Sequence, residues 1–298
     1  MGLNTNIKQL INYVVDNDIN NAKKIVRTII SKETAEKNKW YCKSIENKLD
    51  MQTNFLELPY QIKNILRMED VSNFNENRYF LSEREKKLYE SISIAKDINE
   101  KLREMKIRYI NSTIVYGESG TGKTTFGKYV AYKLGLPFAY LNFSYCIDSK
   151  LGETSKNINN VFDYVSKRKC VLLLDEIDAI GIQRGKEDST GEMSRVTIGL
   201  MQSLDLLNND CVVIGATNRI DMIDKALLRR FSIQHEIKEL EEAEVSSFIS
   251  RILEDLKIEF DINNIYEYSK NQHRQSKIEN DITKSIIKMI KNKEKFIL

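Results

Sequence analysis

Gly117-Glu118-Ser119-Gly120-Thr121-Gly122-Lys123-Thr124 is the stretch that decides how this chain is read. Two glycines bracket four residues, and a lysine and a hydroxyl residue follow, the pattern of a loop that cradles phosphate groups. The flanks agree with it. Ser112 to Tyr116 is β-branched and aromatic, as a buried strand is, and Thr125 to Leu134 spaces its apolar residues for a helix that Gly135 closes. A triphosphate has to be met by converging backbone N–H groups, which glycines allow, beside a helix N-terminus carrying partial positive charge. Gly117 through Thr125 are therefore the candidate phosphate-binding set. In it Lys123 would reach the β and γ phosphates and Thr124 would offer its hydroxyl to a magnesium ion. A chance glycine-rich turn before Lys-Thr would need neither the strand nor the helix.

Further along, the apolar run Val171-Leu172-Leu173-Leu174 delivers two adjacent acids, Asp175 and Glu176. Asp175 is suited to hold the magnesium hydration shell, and Glu176 to take the proton of a water attacking the γ phosphate. A polar strand end capping the next helix would also place acids here, but the apolar run favours the catalytic reading. Asp178 reads as a local cap or a subunit contact and stays outside the catalytic set. Ile214-Gly215-Ala216-Thr217 ends on Asn218, whose amide can orient the lytic water or touch the γ phosphate. Asp224 to Phe231 carries Arg229 and Arg230 at the end of a short helix, where the helix dipole alone would favour cations.

Strands are expected at 112–116, 138–142, 170–174, 211–215 and 233–237, with helices near 154–166 and 193–206 between them. That alternation implies a three-layer α/β fold with a parallel sheet and ligands at the carboxyl ends of its strands. The nucleotide core is expected at 82–238. Ser82-Glu83-Arg84-Glu85 has the capping-box form and opens a long helix to about Met105. Residues 56–81 read as a linker, with a short helix introduced at Leu56-Glu57-Leu58-Pro59 and a polar connector from Asp70 to Arg78. Residues 1–55 read as a helical module. There Ile7, Leu10, Ile11 and Val14 share one face, and Ala22, Ile25, Val26, Ile29 and Ile30 the next, across the polar break Asp16-Asn17-Asp18. Residues 239–298 are helical throughout, enough for a lid.

Composition bounds the rest. At 298 residues, 41% hydrophobic and 30% charged, the chain has the profile of a soluble globular protein of more than one unit, and no apolar run approaches bilayer length. Met1 to Lys8 shows no secretory h-region, so a cytoplasmic location is expected. Cys42, Cys146, Cys170 and Cys211 are widely spaced, and neither disulfides nor zinc are expected. A net charge of +3 gives little support for nucleic-acid binding, and the lysine-rich C-terminal stretch reads as the wet face of a helix.

Taken in chain order, the phosphate loop, Asp175-Glu176, Thr217-Asn218 and Arg229-Arg230 resemble the AAA+ ATPases, specifically the AAA subgroup, over Ser82 to Ile237. The likeness implies a magnesium-dependent P-loop ATP hydrolase in which Asn218 is the sensor residue. It also implies that Arg229 and Arg230 are arginine fingers reaching the nucleotide of a neighbouring subunit, and hence a homo-oligomeric ring, usually a hexamer. Asn142 resembles the residue that holds the catalytic glutamate inactive. The chain also departs from the pattern. Ser149 to Thr154 takes the place of the central-pore loop with Lys150-Leu151-Gly152 and no aromatic, which weakens a grip on extended peptide. The arginine pair lacks spacer residues. Arg274 lies near the place of a second sensor arginine but reads as a solvated charge. The N-terminal helices followed by Leu56 to Pro59 look similar to bacterial AAA ATPases encoded beside subtilisin-like serine proteases, which implies that residues 1–55 recruit a protein partner. The leading expectation is a ring ATPase that remodels a protein substrate or partner. An ATP-switched assembly module for a partner such as a protease is the second reading, and a DNA-dependent ATPase or loader the third.

Overall fold

Val171–Asp175, apolar until its final residue, is a central strand of a six-stranded sheet in the computed structural model of the chain. The structure describes residues 5–15, 19–33, 38–39, 41–43, 45–46, 58–107, 109–143, 151–180, 191–207, 211–292 and 295–298. The strands are β1 (Leu66–Glu69), β2 (Asn111–Tyr116), β3 (Phe138–Asn142), β4 (Val171–Asp175), β5 (Val212–Thr217) and β6 (Ile233–Glu236), in the spatial order β1-β3-β4-β5-β2-β6. All neighbours pair in parallel except β1, which runs antiparallel along β3. Strands β4 and β5 are covered on both faces, so their sequences are continuously apolar rather than alternating.

The chain divides into two compact units, Met1–Leu58 and Pro59–Leu298. In the first, α1 (Thr5–Val15) contacts α2 (Ile19–Ser31), and Ile11 and Val14 of α1 remain exposed. The Asp16-Asn17-Asp18 break lies outside the described residues. No helix among the described residues is long and apolar enough to cross a membrane.

In the second unit, α3 (Glu83–Glu104), α4 (Lys123–Leu134), α5 (Leu151–Val165), α6 (Gly191–Leu206) and the short α7 (Lys225–Leu228) alternate with the strands. The segment read as a linker differs from expectation. Leu56 and Glu57 lie outside the described residues, and from Tyr60 the chain runs through turns, not a helix, into β1. Ile62 and Leu66 are fully buried there, and Val71 and Tyr79 pack with Leu88, Phe126 and Tyr129 in the main core. Apolar burial thus makes this stretch part of the nucleotide-domain unit. At the start of α3 the Glu85 N–H donates to Ser82 Oγ at 3.5 Å, the serine half of the expected capping box. Ser82 Oγ accepts from the Arg84 N–H at 3.2 Å, while the Glu85 carboxylate takes the Ser82 hydroxyl and the His235 ring at 2.9 Å, tying α3 to β6.

Three further helices, α8 (Glu242–Asp255), α9 (Ile262–Ser269) and α10 (Gln275–Asn292), pack around their own core of Val245, Phe248, Ile252, Ile265 and Ile278. Contacts from the stretch ahead of α3 hold this helical lid. Asn77 donates to Asp255 at 2.9 Å, and Arg251 donates to the Tyr79 carbonyl at 2.8 Å.

Candidate active site

After Tyr116 the backbone takes a path that a side chain would block. Gly117 has φ 146°, and a Cβ there would stand 2.2 Å from the Ile237 carbonyl oxygen, a main-chain atom that cannot swing aside. Gly122, at φ 104°, caps α4 and leaves Lys123 as its first residue, so the unpaired N–H groups of the first helical turn adjoin the loop. Lys123 is buried and donates to the carbonyls of Gly117 at 2.8 Å and Glu118 at 2.7 Å. Burial pulls its pKa down, against the raising pull of Asp175, Asp178 and Glu118. Thr121 donates to the Glu118 carbonyl at 3.0 Å and closes the loop on itself.

The parallel pairing of β4 brings its acids to this loop. Thr124 Oγ1 donates to Asp175 Oδ2 at 2.9 Å, and the Glu176 N–H donates to Asp175 Oδ1 at 3.0 Å. Burial pushes the Asp175 pKa up, and those two hydrogen bonds work against the rise. Glu176 sits at φ 53°, ψ 45°, left-handed backbone that a non-glycine residue adopts at a cost of about 1–2 kcal/mol. Strain of this kind concentrates at functional positions. Asp178 accepts from Thr217 Oγ1 at 2.6 Å and so joins the ends of β4 and β5. Asn142 is the register partner of Asp175 and donates to the Tyr140 hydroxyl at 3.2 Å.

Ser119, Gly120, Gly122, Lys123, Thr124, Thr125, Asp175, Glu176 and Asn218 line one open cleft of about 250 Å³. Gly117, Glu118 and Thr121 complete the loop beside it. The adjacent Thr124 hydroxyl and Asp175 carboxylate present hard oxygen donors of the kind magnesium takes. Arg229 and Arg230 stand apart from this cleft. Arg229 is exposed, whereas Arg230 reaches Asp205 on α6 at 3.2 Å and the Ala226 carbonyl at 2.7 Å. In the expected pore loop, Ser149 and Lys150 lie outside the described residues and Leu151 begins α5.

Sequence reasoning missed the opposite wall, built from Arg78 and Tyr79 ahead of α3 and from Gln275, Ser276 and Glu279 on α10. Gln275 accepts from the Phe80 N–H at 3.0 Å and donates to its carbonyl at 3.0 Å, a pairing across 195 positions that no local pattern signals. Arg274 is not a freely solvated charge. It forms ion pairs with Glu118 of the loop and, at 2.5 Å, with Glu239.

A family model described as "ATPase family associated with various cellular activities (AAA)" matches residues 113–239. The chain is 38% identical over 128 residues to the peroxisomal ATPase PEX6 of Arabidopsis thaliana, covering 41% of this chain and 14% of that protein. It is 32% identical over 154 residues to the proteasome-activating nucleotidase of Methanoregula boonei, covering 50% and 35%. To the 26S proteasome regulatory subunit 6A of Encephalitozoon cuniculi it is 31% identical over 156 residues, covering 51% and 39%. The matched segments span well under half the length of these relatives.

Proposed function

We propose, from the match of residues 113–239 to the AAA ATPase family model, that this chain binds ATP and hydrolyses it, and that it assembles with copies of itself so that turnover remodels a protein substrate or partner. The observation that carries the reading is the convergence of loop, acids and Asn218 on one cleft. The loop N–H groups and Lys123 hold the β and γ phosphates. Thr124 and Asp175 would hold magnesium, which when bound would neutralise charge on those phosphates. Glu176 accepts the proton of the attacking water, and Asn218 orients that water. The exposure of Arg229, away from its own cleft, supports contact with the nucleotide of a neighbouring copy, and the Asp205 pair of Arg230 supports a role in holding α7 for it. Such a contact is head-to-tail and closes a ring, in this family usually of six.

Relatives named as proteasome-activating and proteasome regulatory proteins support a protein partner, a protease included. The absence of an aromatic from Lys150-Leu151-Gly152 favours the second reading, in which ATP occupancy switches assembly with that partner. Lys123→Ala is expected to abolish ATP binding, and Glu176→Gln to keep binding while losing hydrolysis by a factor of about 10²–10⁴. Phosphate release by the glutamine variant at the rate of the unaltered chain would overturn the assignment. Unfolding of a tagged protein during turnover distinguishes remodelling from partner-dependent assembly without unfolding.

A further inference from the structure

Three consecutive residues at the start of α10 each grip the phosphate loop. Arg274 pairs with the Glu118 carboxylate, Gln275 Nε2 donates to the Thr121 carbonyl at 3.4 Å, and the Ser276 N–H donates to the Gly120 carbonyl at 3.2 Å. The approach is close enough that a Cβ on Gly120 would meet Ser276 Oγ at 2.4 Å. Arg274 also bonds Glu239, in the connector between β6 and α8, so one guanidinium bridges the loop and the entry to the lid. Gln275 and Ser276 form one wall of the cleft whose other wall is the loop. A nucleotide held between those walls leaves when they part, and parting them breaks all three contacts.

Resting on the ATP-site reading above, we propose that Arg274 is a positioning residue: by pairing with Glu118 and Glu239 it clasps the lid to the phosphate loop and sets the rate at which nucleoside diphosphate is released. Arg274 acts through Glu118 and does not itself touch the reacting atoms. The three side chains are 38–66% exposed, so salt screens the network and its worth is that of a favourable surface cluster. An effect of at most about fivefold on release follows.

The test uses the full chain with magnesium and a fluorescent ADP analogue, release being followed by stopped flow. Arg274→Ala and Glu118→Gln are each expected to speed release by up to about fivefold. The double variant should be no faster than either, and the full exchange of charges, Glu118→Arg and Glu239→Arg with Arg274→Glu, should slow release again. Raising salt should speed release from the unaltered chain and leave Arg274→Ala unmoved. Additive single effects, a charge exchange that stays fast, or release indifferent to salt would overturn the clasp. If Arg274→Ala fails to fold, Arg274→Gln and the salt dependence of the unaltered chain decide the matter. Failure of the unaltered chain to bind the analogue would instead refute the ATP-site reading itself.

Discussion

Glu176 offers a stability test of the backbone strain at the proposed catalytic position. Its left-handed backbone, φ 53° and ψ 45°, strains any residue with a Cβ by about 1–2 kcal/mol. Glycine removes that strain but costs about 0.5–1 kcal/mol more in lost chain entropy on folding. Glu176→Gly and Glu176→Ala both delete the carboxylate, so their difference isolates the backbone, and the glycine variant should be the more stable by about 0.5–1 kcal/mol. In a unit of this size that is a rise of roughly 2–4 °C in melting temperature at the upper end. Both variants should be hydrolytically dead. Urea and thermal unfolding of the two in the absence of nucleotide, beside ATP turnover, supply the measurement. An alanine variant as stable as the glycine one, or more so, would refute the claim that strain is held at this position.

Arg229→Ala should bind ATP with unaltered affinity yet fail to hydrolyse it, and mixing with Lys123→Ala subunits should restore part of the turnover, because one of the two kinds of mixed contact pairs an intact cleft with an intact arginine. Mixed assemblies that stay inactive would show that Arg229 does not act between subunits. The Glu85 pair predicts an acid limb of stability. Burial pushes the Glu85 pKa up, but hydrogen bonds from His235 and Ser82 and the charge of Arg84 outweigh it and leave the carboxyl below its ordinary value. An acid whose pKa is depressed on folding contributes stability that is complete above its unfolded value, about 4.3, and drains away as pH falls through the folded value. Urea midpoints between pH 6 and 3 should therefore fall less steeply for Glu85→Gln than for the unaltered chain.

Much of the core was legible because its signals are local. Converging glycines before Lys123 and the apolar run before Asp175 each specify a strand end and a turn within a few residues. Strand β1 was not. Leu-Arg-Met-Glu is four residues of mixed polarity, and its strand character comes from pairing with β3 across the sheet margin. The second wall of the cleft was hidden for a related reason, since Gln275 acquires its role from a peptide 195 positions earlier. The two arginines could not be told apart from their adjacent places in the sequence. Asp205, which engages Arg230, comes near through the packing of α6 and carries no mark of that partnership. The left-handed turn at Glu176 likewise has no sequence signature, because glycine is the residue that usually announces it.

Both margins of the sheet are four residues long, β1 on one side and β6 on the other, and each carries a charged residue, Arg67 and Glu69 on the first and Glu236 on the second. Brief, charged borders make poor templates for a strand donated by another molecule. Extension of this sheet from one molecule to the next is therefore disfavoured, which leaves association by helices and loops, whose contacts can loosen and re-form without melting a ladder of main-chain bonds.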